Sequence, residues 1–196
     1  IFLPNCIDYN VFKASPKISS KKDGFKLINI GSFSPKKAQE FLIDVASNLK
    51  NKGVIFSLDL LGDGPERKKI EKLALKHNVN ELINFRGNVN NPESYLKSAD
   101  LYIHSAKKEP FGLVLIEAMA SGLPIVTTDG GGNKDIIINN ENGFMLVFRN
   151  PELFANKIIQ LINSKEDYER ISRNCIAFAS KYDVKNYVSK LLKLYV

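Results

Sequence analysis

The sequence predicts an α/β protein: a Rossmann-like, doubly wound parallel sheet of six strands with helices on both faces and further helices at the C-terminal end. Three observations predict it. Short apolar runs alternate with segments of helical periodicity. Glycines follow most of the apolar runs, at Gly31, Gly62 and Gly64, Gly87, and Gly130 to Gly132. From Pro151 onward the sequence is helical throughout. Alternation of this kind implies βαβ units, and hence parallel strands with helices on both faces.

The elements follow in order. "FKLINIG", from Phe25 to Gly31, is the first strand. "SPKKAQEFLIDVASNLK" is expected as a helix opening at Ser34. Ser34 suits the cap and Pro35 the first turn, while Phe41, Leu42, Val45 and Leu49 share one face. "VIFSLDLLGDGP" is a strand ending in a glycine turn, "ERKKIEKLALKHN" a helix and "LINFRG" a third strand. A short helix from Pro92 to Ser98 leads to "DLYIHS", a fourth strand. A helix from about Phe111 to Ser121 precedes "LPIVTTD", the fifth strand. "GGGNKDIII" is a glycine loop with a short helix, and "GFMLVF" is the sixth strand. "PELFANKIIQLI", "KEDYERISRNCIAFAS" and "VKNYVSKLLKLYV" are helices. In the last, Val184, Tyr187, Val188, Leu191, Leu192 and Tyr195 form an apolar stripe.

The composition narrows the function classes. The 196 residues suit one domain, and 44% hydrophobic with 25% charged residues suits a globular one. No apolar run reaches the ~18 residues of a membrane span. The opening "IFLPNCIDYN" has neither an initiator Met nor a signal-peptide pattern. The chain is therefore expected to be part of a longer, cytoplasmic protein. Cys6 and Cys175 suggest reduced, structural thiols, and His77 and His104 have no metal-ligand spacing. No metal or other cofactor is expected. The net charge of +7 favours anionic partners, such as phosphorylated ligands or an anionic membrane face. Apart from a loose cluster at Lys13, Lys17, Lys21 and Lys22 the lysines are dispersed. No arginine stripe with interleaved aromatics marks a nucleic-acid binder.

The chemistry concentrates in "KKEPFGLVLIEAMASG", Lys107 to Gly122. Glu117 stands inside an apolar helix, where a carboxylate must find partners or shift its pKa. Glu109 lies on the loop before that helix. Over a full helical path the two acids would lie roughly 10 Å apart. Carboxylates accept hydrogen bonds from hydroxyls, the chemistry of a ribose or a hexose. "PFG" opens the helix, and two readings of it stand side by side: a cradle for diphosphate at the amides of Gly112 and Leu113, or an ordinary strand-to-helix turn. In parallel sheets, ligands bind beyond the carboxyl ends of the strands, where the glycines fall.

The segment "EPFGLVLIEAMASGLPIVTTDGGGNKDII" resembles the signature of the family-4 retaining glycosyltransferases, the group-1 nucleotide-sugar enzymes of the GT-B fold. Glu109 and Glu117 match its E-x7-E pair. "PNCIDYNVF" is similar to the family's inter-domain segment, "LLGDGPERKKIEKLA", "NFRGNVNNPESYLKSADLYIHSA" and "NGFMLVF" to further blocks, so the likeness covers about Pro4 to Ile162. It implies the C-terminal, donor-binding half of a two-half enzyme. Residues 1–24 would be linker and 184–196 a helix packing on the N-terminal acceptor half. It implies transfer of a hexose-type sugar, with retention, from a UDP- or GDP-sugar to a surface-glycan, lipopolysaccharide or capsule-type acceptor. Glu109 and Lys37 would be catalytic. Gly31, Ser32, Lys37, Gly62, Gly87, Asn88, Glu109, Phe111, Gly112, Leu113 and Glu117 would bind the donor. Glu117 would take the ribose and Glu109 the sugar.

"INIGSFSPKKA" departs from the family's G-R-L-x-x-x-K-G: Ser32 replaces the Arg and Ala38 the Gly, while Lys37 is kept. Three consequences stay open: weaker donor affinity, neutralisation by Lys36, or a degenerate enzyme. Cys6 stands for a usual Gly and Asp135 for a usual Glu. The runner-up reading is a non-catalytic nucleotide-sugar-binding or interaction module. A dinucleotide oxidoreductase fares worse, since no G-x-G-x-x-G follows the first strand.

Overall fold

The computed structural model of the protein describes residues 5–18 and 24–194. Pro4, Lys21, Lys22 and Tyr195, which figure in the sequence reading, lie outside the described residues.

Six strands form one parallel sheet: β1 (Phe25–Ile30), β2 (Phe56–Leu61), β3 (Ile83–Gly87), β4 (Leu101–His104), β5 (Ile125–Thr128) and β6 (Gly143–Leu146), in the order β3-β2-β1-β4-β5-β6. The helices are α1 (Tyr9–Phe12), α2 (Glu40–Asn51), α3 (Arg67–Lys76), α4 (Pro92–Ser98), α5 (Leu113–Ala120), α6 (Pro151–Asn163), α7 (Lys165–Ala179) and α8 (Val184–Leu192). Helices α2, α3 and α6 pack with one another on one face, and α1, α4, α5 and α7 on the other. Every residue of β4 and β5 is buried, as strands covered on both faces must be. The strand order reverses between β1 and β4, which puts the topological switch point above Ile30 and His104.

The sequence expectation for α2 needs correction. Residues 34–37 form a turn in which the amides of Lys37 and Ala38 both donate to Ser34 O at 3.0 Å. Ala38 then takes φ 53°, outside the helical region, and α2 begins only at Glu40 with no side-chain cap. The same left-handed φ explains why a Gly is usual here in the resembling family. α5 likewise starts at Leu113, after Gly112 at φ 98°. The path from Glu109 to Glu117 is therefore helical only in its second half, and the helical spacing of the acids does not apply. α8 has no buried residue and leaves Val184, Val188 and Leu192 exposed.

At the sheet's C-terminal edge the backbones of neighbouring loops nearly touch. Gly62, at φ 123°, lies so close to Gly31 that a Cβ would come 2.2 Å from Gly31 O. Gly62→Ala is expected to lower stability by about 1–3 kcal/mol. A fall in the urea midpoint at unchanged m-value would register it.

Candidate functional site

The site is built from loops that leave the strand ends. After β1, Gln39 is almost wholly buried and folds its amide back, donating to Gly31 O (3.2 Å) and Ser32 O (3.1 Å). This fixes the Gly31–Ser32 loop. Ser32 itself is exposed, and its hydroxyl meets only that of Ser34, at 3.4 Å. After β4, Ser105 Oγ donates to Lys37 O at 2.8 Å, and the amides of Lys107 and Lys108 donate to Lys36 O. The two loops are thereby laced together across the switch point.

That lacing delivers Lys37 to Glu109. Lys37 Nζ donates to Glu109 Oε2 at 2.5 Å, and the carboxylate is only 7% exposed. His104 Nε2 lies 3.2 Å from the same oxygen, without hydrogen-bond alignment. Burial alone would push the Glu109 carboxyl up. The contacts with His104 and Lys37, and the Lys37 charge, outweigh it and hold the group down at about 2. The Glu109 backbone is clamped too: its amide donates to Gly130 O, and its carbonyl accepts from Gly132 N. A Cβ on Gly132 would meet Pro110 O at 2.3 Å, so the glycine triplet serves this close approach. Asn133 secures the triplet by accepting from Gly130 N at 2.9 Å and donating to Thr128 O at 2.7 Å.

Glu117 differs. It is half-buried on α5, its carboxylate makes no hydrogen bond or ion pair with any of the described residues, and desolvation raises its pKa. Both acids act on the buried Tyr102, whose pKa rises first by burial and then by the charges of Glu117 and Glu109. The Tyr102 hydroxyl donates to Ile30 O at 3.2 Å, at the end of β1. Ile30 in turn lines a groove of about 230 Å³ with Gly31, Ser32, Leu61, Gly62, Asn88, Val89 and Pro92. Gly87 adjoins it, accepting from Gly62 N at 2.7 Å. Four predicted donor residues thus line one groove. Lys37 and Glu109 do not line it; they sit on the adjoining loops, and the Glu117 carboxylate, on α5, pairs with neither. Among the described residues, the amides of Gly112, Leu113 and Val114 at the start of α5 donate to no acceptor. The Phe111 ring turns away to pack edge-on against Tyr182.

Sequence reasoning missed Gln39, Ser105 and Asn133, whose polar side chains hold the loops, and gave His104 only a strand role. Only the run "GGGN" signalled any of them. Among the described residues no group of three or more His, Cys, Asp or Glu could hold a metal, and no helix is long and apolar enough to cross a membrane.

A six-stranded parallel sheet with a groove at its strand ends and an ion pair on the loops beside it defines a Rossmann-like domain of the kind that makes up half of a GT-B fold. Comparison with known proteins narrows this. Residues 11–177 match the family described as glycosyl transferases group 1, and the chain belongs to that family. An uncharacterized glycosyltransferase of Methanocaldococcus jannaschii is 31% identical over 168 residues, 85% of this chain and 46% of the relative. The lipopolysaccharide core biosynthesis glycosyltransferase LpsE of Rhizobium meliloti is 32% identical over 146 residues, 74% of this chain and 42% of the relative. Among solved structures, Anabaena HepE in complex with UDP and glucose superposes with a TM-score of 0.86 at 26% identity, over 97% of this chain and 55% of that one. The chain spans about half the length of the curated relatives it matches.

Because Glu109 is held ionised in the fold, the stability it contributes is present above its unfolded pKa and lost as pH falls from about 4.5 toward about 2. Glu109→Gln is expected to flatten the stability profile over that interval, read from urea melts across pH. Lys37→Met is expected to raise the Glu109 carboxyl pKa, read by carbon NMR.

Proposed function

We propose that this chain is the donor-binding half of a retaining glycosyltransferase, with a UDP-sugar carrying a hexose as the donor. The reading assigns residues 1–24 to the linker and the segment 184–196, whose helix α8 spans Val184–Leu192, to the side facing the acceptor half. The observation that carries it is the pairing of a caged, ionised Glu109 with Lys37 at the switch point, beside free helix amides and an unpartnered Glu117. The UDP carried by HepE supports the choice of base. The relation to LpsE supports a surface glycan, of the lipopolysaccharide kind, as the acceptor product. The exposed stripe of α8 suits contact with the acceptor half.

In this reading the base lies in the groove between Gly31, Gly62 and Asn88. The diphosphate meets the amides of Gly112 and Leu113, where the helix dipole and open N–H groups favour negative charge. Lys37 adds a mobile ammonium. As the bond to the sugar breaks, charge grows on the leaving diphosphate, and these donors stabilise it. Glu117 stands one turn into α5, roughly 6 Å along its axis. There it accepts from ribose hydroxyls, which would supply the partners it lacks. Glu109 keeps Oε1 available for the sugar while Oε2 is held. Ser32 brings no cation, so Lys37 and α5 carry the neutralisation.

UDP at about 100 times its Kd should stabilise the chain by about 2.7 kcal/mol, visible as a thermal shift. Absence of any shift with UDP, GDP or their sugars overturns the reading. Glu117→Ala is expected to weaken UDP binding about tenfold or more, while a change at exposed Lys190 leaves it within twofold by calorimetry. In the whole protein, sugar transfer that survives Glu109→Ala would rule out the assigned role of that residue.

A further inference from the structure

We propose that His104 is a positioning residue for Glu109: it anchors Oε2 from below and becomes the carboxylate's remaining partner when a diphosphate draws Lys37 away, leaving Oε1 turned to the sugar. The inference rests on the donor reading above and adds a residue to it.

His104 is the last residue of β4 and is 1% exposed, yet neither ring nitrogen has a hydrogen-bond partner. A buried polar group left without a partner is costly to the fold. Such a group is an expense of folding unless something moves to use it. The nearest group is Glu109, with Oε2 3.2 Å from Nε2. The ring plane is fixed by stacking on Tyr102, with centroids 6.0 Å apart and planes 27° from parallel. Tyr102 is itself tied by its hydroxyl to Ile30.

The charged groups around the imidazole come from three loops. Glu109 approaches from the β4–α5 loop, Lys37 from the β1–α2 loop and Arg149 from the segment after β6. Arg149 donates to Ser105 O and Thr128 Oγ1, both at 2.8 Å, so its charge is fixed beside the strand ends. Burial, then Lys37 and Arg149, favour the neutral ring; Glu109 alone opposes them, and the pKa falls. A neutral ring carries one proton. Nδ1 faces no acceptor, whereas Nε2 faces a carboxylate, so the proton belongs on Nε2.

The present geometry then reads as one side of an exchange. Lys37 holds Oε2 in line at 2.5 Å, and His104 waits out of line beside it. A diphosphate competes for the ammonium. Stripped of it, a carboxylate only 7% exposed would be left as a buried, uncompensated charge, which is strongly destabilising. A small rotation brings the Nε2 proton onto Oε2 and meets that need without a second cation.

Nitrogen NMR of the imidazoles tests this on the chain itself. His77 and His104 are its only histidines, and His104→Gln assigns the signals. The expected result is the Nε2-protonated form of His104, unchanged between pH 8 and pH 6, with an Nε2 shift on adding UDP-glucose. An Nδ1-protonated ring overturns the proposal, whatever happens with ligands. Calorimetry with UDP, UDP-glucose and UDP-N-acetylglucosamine gives the second readout. His104→Leu should lower the affinity for UDP and for the UDP-sugars alike, about tenfold or more, because either diphosphate draws Lys37 from Glu109. His104→Gln, which restores an N–H, should recover it. Unchanged UDP affinity in the Leu variant, or the same loss in the Gln variant, overturns the proposal while leaving the donor reading intact. Failure of UDP to bind the unaltered chain overturns the donor reading itself.

Discussion

Lys37 and Glu109 stand on loops that follow neighbouring strands, β1 and β4, yet 72 residues separate them in sequence. Their ion pair is the constraint on which the site depends. It can form only where the sheet changes direction, because there two loops diverge from adjacent strand ends and leave room between them. The pair is not held by charge alone. Ser105 fixes the Lys37 backbone, and the Gly130–Gly132 loop fixes that of Glu109, so both side chains leave anchored points. Such anchoring is what a preorganised electrostatic site requires: the donors and acceptors are in place before charge develops, and little reorganisation is left for the reaction.

The glycines divide into two kinds of work. Gly62 and Gly132 let backbone meet backbone, at Gly31 O and Pro110 O, where any Cβ would collide. Gly112 instead takes a left-handed turn that frees the first amides of α5. The first kind holds neighbouring loops together, and the second is where the proposed diphosphate would meet the helix. Glu117 stands on that helix. Its lack of side-chain partners goes with partial rather than full burial, and the remaining desolvation is what raises its pKa.

Much of this was legible in the sequence. The alternation of strands and helices gave the sheet, because parallel strands buried on both faces must be continuously apolar. The E-x7-E spacing singled out both acids, and of the two the structure pairs only Glu109 with Lys37. The start of α2 was misread for a physical reason: Ser34 and Pro35 are good initiators locally, but the loop has to swing Lys37 over the sheet edge first. It does so by forcing Ala38 into a conformation that no propensity predicts. Gln39 and His104 stayed hidden because their importance comes from what lies across the fold. A glutamine before a helix and a histidine in a strand carry no local mark of the loop or carboxylate they touch.

The strand order also bears on how the chain assembles. β1, β2 and β3 are laid down in sequence and can pair as they appear, but β4 must cross back over two strands to reach β1. Crossings of that length close slowly. The two charges meet only when that return is complete. A nascent chain halted before β4 could own a partial sheet, yet would carry Lys37 with no carboxylate to receive it, so the ion pair arrives with the second half of the sheet and not gradually.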